Sequence, residues 1–430
     1  MNTKLRFASL IGAVAIIAAA CGGGTATTAP TTAPASAEPT TAPESGEPSA
    51  PASQEPTGEP LVGELTVWHS YGSGGGETGA FQKALGAILV ANKDLTVHVV
   101  EQPFSDIFNG WNTDVAAGGG PDMFIAPNDN LYSQADGGVL LDVTDALAGK
   151  LDGFSQTAVD GSQVDLGDGK GPRFYMVPES LKAVALWYDK TVVATPPATT
   201  DALLAAVTDG SVKLGLNQNA YHMFGFTGSF GGTLMDADGK CVADQAGFAD
   251  AFAYFQALKA AGAKFYTDGN ALKQDFQTGA LNAVIDGPWQ TADFVKALGD
   301  KAAVAPMPAG PSGATANPFT GTDGWYINPN SANTELAIAF ALQMVGTASE
   351  QTLTNDAGHV PAAPGVTINS PIVQGFADAA AAGLPRPQRA EFNNYWGPFG
   401  DAINLVLDKG EDAATTATNA CALMNEANGK

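Results

Sequence analysis

Cysteine is scarce in this 430-residue chain: there are three, Cys21, Cys241 and Cys421. None forms a Cys-x-x-Cys pair or a Cys/His cluster, which excludes zinc ribbons and thiolate-held clusters. The four histidines, His69, His98, His222 and His359, have no metal-ligand spacing either. Basic residues are few, 20 Lys+Arg against 44 Asp+Glu, for a formal net charge of -24. A chain this acidic repels phosphate backbones and anionic membrane surfaces, so nucleic acid is not an expected partner. No HExxH, GxSxG or P-loop lysine motif occurs. Hydrophobic residues are plentiful at 45%. They supply core for roughly two to three domains.

The chain opens with Lys4 and Arg6 before an apolar run from Ala8 to Ala20. That pattern reads as a signal peptide over 1–20, too short to span a bilayer comfortably. The run ends Ala18-Ala19-Ala20-Cys21-Gly22, which resembles the lipobox of bacterial lipoproteins and implies lipidation at Cys21. Residues 21–60 hold no aromatic residue and no Leu, Ile or Val, and the charges are all Glu. Nothing there can offset the entropy of ordering, so the segment is expected to be a disordered tether. Its length is on the order of 100 Å at full stretch.

From residue 61 the pattern alternates. Glu64 to Ser70 reads as a strand, 77–92 as a helix, Leu95 to Val100 as a strand, Ile107 to Ala117 as a helix and Asp122 to Ala126 as a strand. This βαβαβ order predicts an α/β fold built on mostly parallel sheets flanked by helices. Tyr175 to Pro178 and Ala183 to Tyr188 are β-like and read as crossings between lobes. Helices are expected over 246–261 and 270–279, a strand at 283–285, and a largely helical tail from Asn393. Gly74-x-Gly76-x-x-Gly79 fits the dinucleotide fingerprint literally. A lone match is weak, and a glycine-rich turn into a helix N-terminus explains it as well.

One cluster carries a resemblance: Phe276-x-x-Gly279, Ala283-Val284-Ile285, then Gly287-Pro288-Trp289. With Leu65-Thr-Val-Trp68, Gly118 to Asp122, Gly137 to Leu140, Val184 to Lys190 with Pro196-Pro197, Tyr221 with Gly231-Gly232, and Phe392 to Val406, it spans about 61–430 in order. The set resembles the extracellular solute-binding proteins of bacterial carbohydrate ABC transporters, in their maltose/maltodextrin-binding branch. The resemblance implies a two-lobed periplasmic-binding-protein-like fold with the ligand cleft between the lobes. The first lobe is expected over 61–179 plus 309–355, and the second over 180–308 plus 356–430. It implies no catalysis and no cofactor or metal. The expected function is a monomeric, lipid-anchored protein outside the cell membrane that captures a neutral disaccharide or oligosaccharide and delivers it to membrane permease subunits.

Carried over residue by residue, the resemblance places ligand contacts at Ser70, Tyr71 and Ser73 of the first-strand loop, at Asp129 and Asn130, at Tyr221, and at Trp289 and Trp396. Lys182 and Trp325 join them as candidates. Four positions depart: Ala126 and Asn130 replace the family's Trp and Arg, and Lys182 and Asn219 replace Glu. The sugar class is therefore better supported than maltose itself. On chemistry alone, sugars need flat aromatic platforms and planar groups that donate or accept hydrogen bonds. Trp289, after Gly287-Pro288 at a strand end, suits that role, as does Trp396 in a polar turn. Trp68 and Trp187, inside strand patterns, read as core. Trp325 stands between core and ligand, and Lys182 between binding an anionic group and being solvated. Asp236-Ala-Asp238-Gly239 reads as a hairpin turn. With Cys21 lipidated, Cys241 and Cys421 are left to pair in an oxidising compartment. Binding of a polyamine or ferric ion by the same fold, or glycoside hydrolysis by two facing carboxylates, remain the competing readings.

Overall fold

A computed structural model describes residues 60–72 and 75–430. The signal peptide, Cys21 and all but the end of the tether, together with Ser73 and Gly74, lie outside the described residues. Among the described residues no helix is long and apolar enough to cross a membrane.

Two sheets organise the chain. The first has seven strands in the order Val360–Pro361, Val177–Lys182, Phe319–Ile327, Met123–Pro127, Gly63–His69 and Leu95–Glu101, with Leu384–Pro385 pairing the start of Phe319–Ile327. The second has five: Ala302–Ala305, Ala185–Asp189, Ala283–Asp286, Leu214–Asn217 and Lys264–Tyr266. The βαβαβ reading of the first residues holds, with helices at Gly76–Ala91 and Phe104–Ala116 between the strands. Gly63–His69 pairs in parallel with both Leu95–Glu101 and Met123–Pro127.

The sheets are less uniformly parallel than the sequence suggests. Phe319–Ile327 runs antiparallel to Met123–Pro127 and to Val177–Lys182. Ala185–Asp189 runs antiparallel to both of its neighbours. These strands enter from the other lobe, so no helical crossover forces a parallel partner. The chain passes from the first sheet to the second at Ala183-Val184, between Lys182 and Ala185. Strand continuity therefore keeps Ser180 to Lys182 in the first sheet, as pairing keeps Val360–Pro361 there, although the sequence places both stretches in the second lobe.

Each sheet is covered on both faces. Phe81, Leu85, Trp325 and Phe340 fill one side of the first sheet, and Trp111, Phe124 and Tyr326 the other. In the second lobe Phe224, Phe248, Phe252, Phe255 and Phe399 pack one side, and Trp187, Phe276, Phe294 and Phe376 the other. Burying aromatic side chains of this size contributes roughly 1.5–3 kcal/mol each before entropy is counted. Cys241 and Cys421 are joined by a disulfide, with Cα atoms 5.5 Å apart at a sequence separation of 180. It ties the turn after Gly232 to the C-terminal helix Ala413–Ala427. The turn itself is a hairpin: Met235 bridges Cys241, and Asp236 Oδ1 accepts the N–H groups of Asp238 and Lys240.

Candidate functional site

The wall from the second lobe starts where the strand Ala283–Asp286 ends. Gly287 leads into a single turn, Pro288–Gln290, and the helix Thr291–Leu298. The Trp289 ring folds back onto Gly287, where any Cβ would overlap it. This is the close approach that requires glycine there. Trp289 is half-buried, and its ring centroid lies 6.1 Å from that of Tyr221 and 5.8 Å from that of His222. Tyr221 and His222 open the helix Ala220–Ser229, whose cap is Asn219: its side-chain oxygen accepts both of their backbone N–H groups. Asn219 is therefore a cap, and losing such a cap costs about 1 kcal/mol. Beside them, buried Asp286 accepts the Gly287 N–H at 2.8 Å and lies 3.5 Å from His222 Nε2. Trp396 opens the helix Trp396–Asn404, half-buried, edge-on to Phe319 and Phe392.

The facing wall comes from the first lobe. Lys182 ends the strand Val177–Lys182, pairs with Asp323 Oδ1 at 2.8 Å, and places its ammonium 5.7 Å from the centroid of the Trp289 ring. It is neither solvated nor free to receive an anion: a carboxylate already compensates it, and its second partner is an aromatic face of the other lobe. Tyr71 is half-buried between His69, Phe81 and His359, with centroids 5.5, 5.6 and 6.0 Å away. Burial first, then the carboxylates of Glu179 and Glu77, push its hydroxyl well above the usual tyrosine range. Ser70 precedes it, half-buried. Asn130 caps the short helix Leu131–Asp136 with its backbone carbonyl, which accepts the Gln134 N–H.

Trp325 does not reach this cleft. It is fully buried, packed against Phe81 and Phe340 in the first-lobe core. Asp323, on the same strand face, sits at the cleft, and Trp325 lies two residues deeper, about 6–7 Å along the strand. The strand pattern could not tell which end of the run was the rim.

The residue that organises the site was not singled out in the sequence. Arg386 follows Leu384–Pro385, where its N–H bonds the Thr320 carbonyl. Its guanidinium is 1% exposed and joins both lobes. Nη1 donates to Asn128 Oδ1 at 3.0 Å and pairs with Asp129 Oδ2 at 2.8 Å. The plane lies 5.3 Å from the ring centroid of Tyr221 and 5.8 Å from that of Trp396. Arg386 Nε and Nη2 and the hydroxyls of Tyr221 and Tyr71 are buried without a hydrogen-bond partner among the described residues. Asp129 is thus engaged with an arginine, not free in a loop. No sequence signal marks Arg386, because all of its guanidinium's partners except Trp396 stand some 165 to 258 residues away.

The arrangement has two properties. Aromatic faces line one wall, and on the opposite wall Lys182 is paired with Asp323 and Asp129 with Arg386. Among the described residues no group of three or more His, Cys, Asp or Glu is placed to hold a metal ion. The sequence profile of the bacterial extracellular solute-binding proteins matches residues 80–382. The chain belongs to that family. The galactooligosaccharide-binding protein of Bacillus subtilis is 24% identical over 377 residues, covering 80% of this chain and 84% of that protein. The maltotriose-binding protein of Pyrococcus abyssi is 26% identical over 366 residues, covering 80% and 78%. Among solved structures, the Thermus thermophilus maltotriose binding protein bound with maltotriose superposes with a TM-score of 0.75 at 25% identity, covering 84% of this chain and 99% of that one. The family is one of solute-binding proteins, and the two-lobed architecture is shared with these neighbours.

Proposed function

We propose that the protein captures a neutral oligosaccharide of the maltodextrin type between its two lobes and presents it to the permease of an ABC importer. The observation that carries this reading is the Arg386 centre. A guanidinium held between Tyr221 and Trp396, already neutralised by Asp129, leaves two N–H-bearing nitrogens for uncharged hydroxyl acceptors. Trp289 and Trp396 would take the C–H faces of the sugar, and Tyr71, Tyr221, Ser70, Ser73, Asp129 and Asn130 its rim. Lys182 would give up its place over Trp289 to a sugar ring and keep Asp323. Each buried donor or acceptor left unpaired costs about 1–3 kcal/mol. Closure around a polyol that pairs with these groups is favoured over closure around nothing, which makes binding and closure one event. The relatives that bind maltotriose and galactooligosaccharides support the ligand class. Anchoring through a lipid on Cys21, action as a monomer and the absence of hydrolysis complete the proposal.

Calorimetric titration with maltose through maltopentaose, galacto-oligosaccharides and spermidine tests it. Saturable binding of the maltodextrins with intact sugar recovered afterwards is expected. Binding of spermidine alone, or cleavage of the sugar, would replace this reading with a competing one.

A further inference from the structure

The lobes also meet away from the sugar-facing residues. The helix Gly76–Ala91 of the first lobe presents Gly76 to the helix Thr291–Leu298 of the second. A Cβ on Gly76 would coincide with the Ala292 side chain, and the Ala292 Cα would be 3.3 Å away. Gly358 does the same for the neighbouring residue: a Cβ there would overlap the Thr291 side chain. Each of these glycines is followed by one member of a buried pair. Glu77 Oε1 lies 3.1 Å from His359 Nε2, and on the other side of the imidazole Glu179 Oε2 lies 3.6 Å from Nδ1. Glu179 is fully buried and is the extra residue of a bulge, because Asp323 pairs with Ser180 while Gly324 pairs with Pro178. Glu350, from the helix Thr347–Asp356, lines the same pocket, and the Tyr71 ring lies against His359, with centroids 6.0 Å apart.

We propose that lobe closure is seated on a two-glycine pad, Gly76 and Gly358, whose spacing is fixed by His359 standing between Glu77 and Glu179. The proposal rests on the closure reading above. Glu77, Glu179, His359 and Glu350 are positioning residues in it. They touch no sugar, and they hold the surface on which the Thr291 helix lands. The pad must be free of side chains because packed interfaces admit no methyl-sized intrusion without displacement. The GxGxxG-like turn acquires a use here: Gly76 serves close approach of a second helix.

The seat also carries a charge dependence. The groups facing His359 are Glu77 from the Gly76 helix, Glu179 from the strand, Glu350 from the Thr347 helix and Tyr71 from the loop, with Lys182 and Asp323 acting on Glu77 from the cleft side. Burial opposes charge on the imidazole, but Glu179 and Glu77 outweigh it and hold His359 well above the usual histidine range. The imidazolium is therefore present at low and neutral pH. Once pH rises through its raised value, two carboxylates face each other across a neutral ring.

The test is Gly76→Ala, alone and with Ala292→Gly, with Gly79→Ala as control, since a Cβ at Gly79 meets nothing within 4 Å among the described residues. Gly76→Ala should weaken maltotriose binding roughly tenfold or more, by shifting the population away from closure, at an unchanged melting temperature. The double variant should return to within about threefold of wild type, and Gly79→Ala should match wild type. Unchanged affinity in Gly76→Ala, or no recovery in the double variant, would overturn the seat. His359→Gln should remove the loss of affinity that wild type shows on going from neutral to alkaline pH; identical profiles would refute the histidine's part. If wild type binds no maltodextrin, the functional reading fails by itself. The seat is then judged by small-angle scattering, where Gly76→Ala must show a larger radius of gyration than the double variant, and equal radii would overturn it.

Discussion

Replacing Trp289 by alanine separates a ligand platform from a core residue. The ring packs partly against the second-lobe core and partly faces Lys182 across the cleft. A tryptophan carries about 150–250 Å² of surface. If the cleft half is about 100 Å², covering it with a sugar face yields about 2.5 kcal/mol at 25 cal/mol per Å². That corresponds to about 70-fold in Kd. The core half sits over Gly287, where truncation leaves a shallow gap, so its stability cost should fall at the low end of aromatic truncations, about 1–2 kcal/mol. Titration calorimetry with maltotriose, beside denaturant melts of the same protein, reads both quantities. Trp289→Phe should keep part of the affinity. A Trp289→Ala protein with intact maltotriose affinity and a large loss of stability would refute the platform assignment.

Other expectations follow from the same contacts. Asp129→Asn leaves the buried Arg386 charge uncompensated, so it should cost about 3 kcal/mol or more of stability in a denaturant melt, well beyond a surface substitution. Reducing the Cys241–Cys421 bond, which closes a loop with a sequence separation of 180, should lower stability by up to about 5 kcal/mol, and labelling of the denatured, unreduced 60–430 region should find no free thiol. Glu391 is pulled down to about 2, chiefly by Arg389 at 2.9 Å against the opposing effect of burial, with Lys430 assisting. Its unfolded value is near 4.5, so its contribution is complete above that pH and is lost as pH falls towards 2. The difference in melting temperature between wild type and Glu391→Gln should shrink across that window, and a constant difference would contradict the pairing.

Local elements were legible where periodicity and turn chemistry agree. Gly63–His69, the Gly76–Ala91 helix and the Phe248–Ala261 helix fall within a few residues of their sequence limits because alternation and helical spacing report which face is buried. Gly287-Pro288-Trp289 was legible as a strand-end projection for the same reason. What sequence spacing cannot report is depth and distant pairing. Trp325 and Asp323 share a face, and only the position of the rim decides which one is core. Lys182 stood open between solvated and anion-binding because Asp323, its partner 141 positions on, is brought beside it only by antiparallel pairing of crossing strands. Arg386 gathers contacts from residues 128, 129, 221 and 396, a set that no local pattern announces.

Small-angle scattering of the purified protein with and without saturating maltotriose tests the central claim most directly. The account predicts a decrease in the radius of gyration on addition of the sugar, to the value given by the closed lobes in which Gly76 meets Ala292. Saturation by the sugar, verified by calorimetry on the same sample, with no change in the radius of gyration would contradict it.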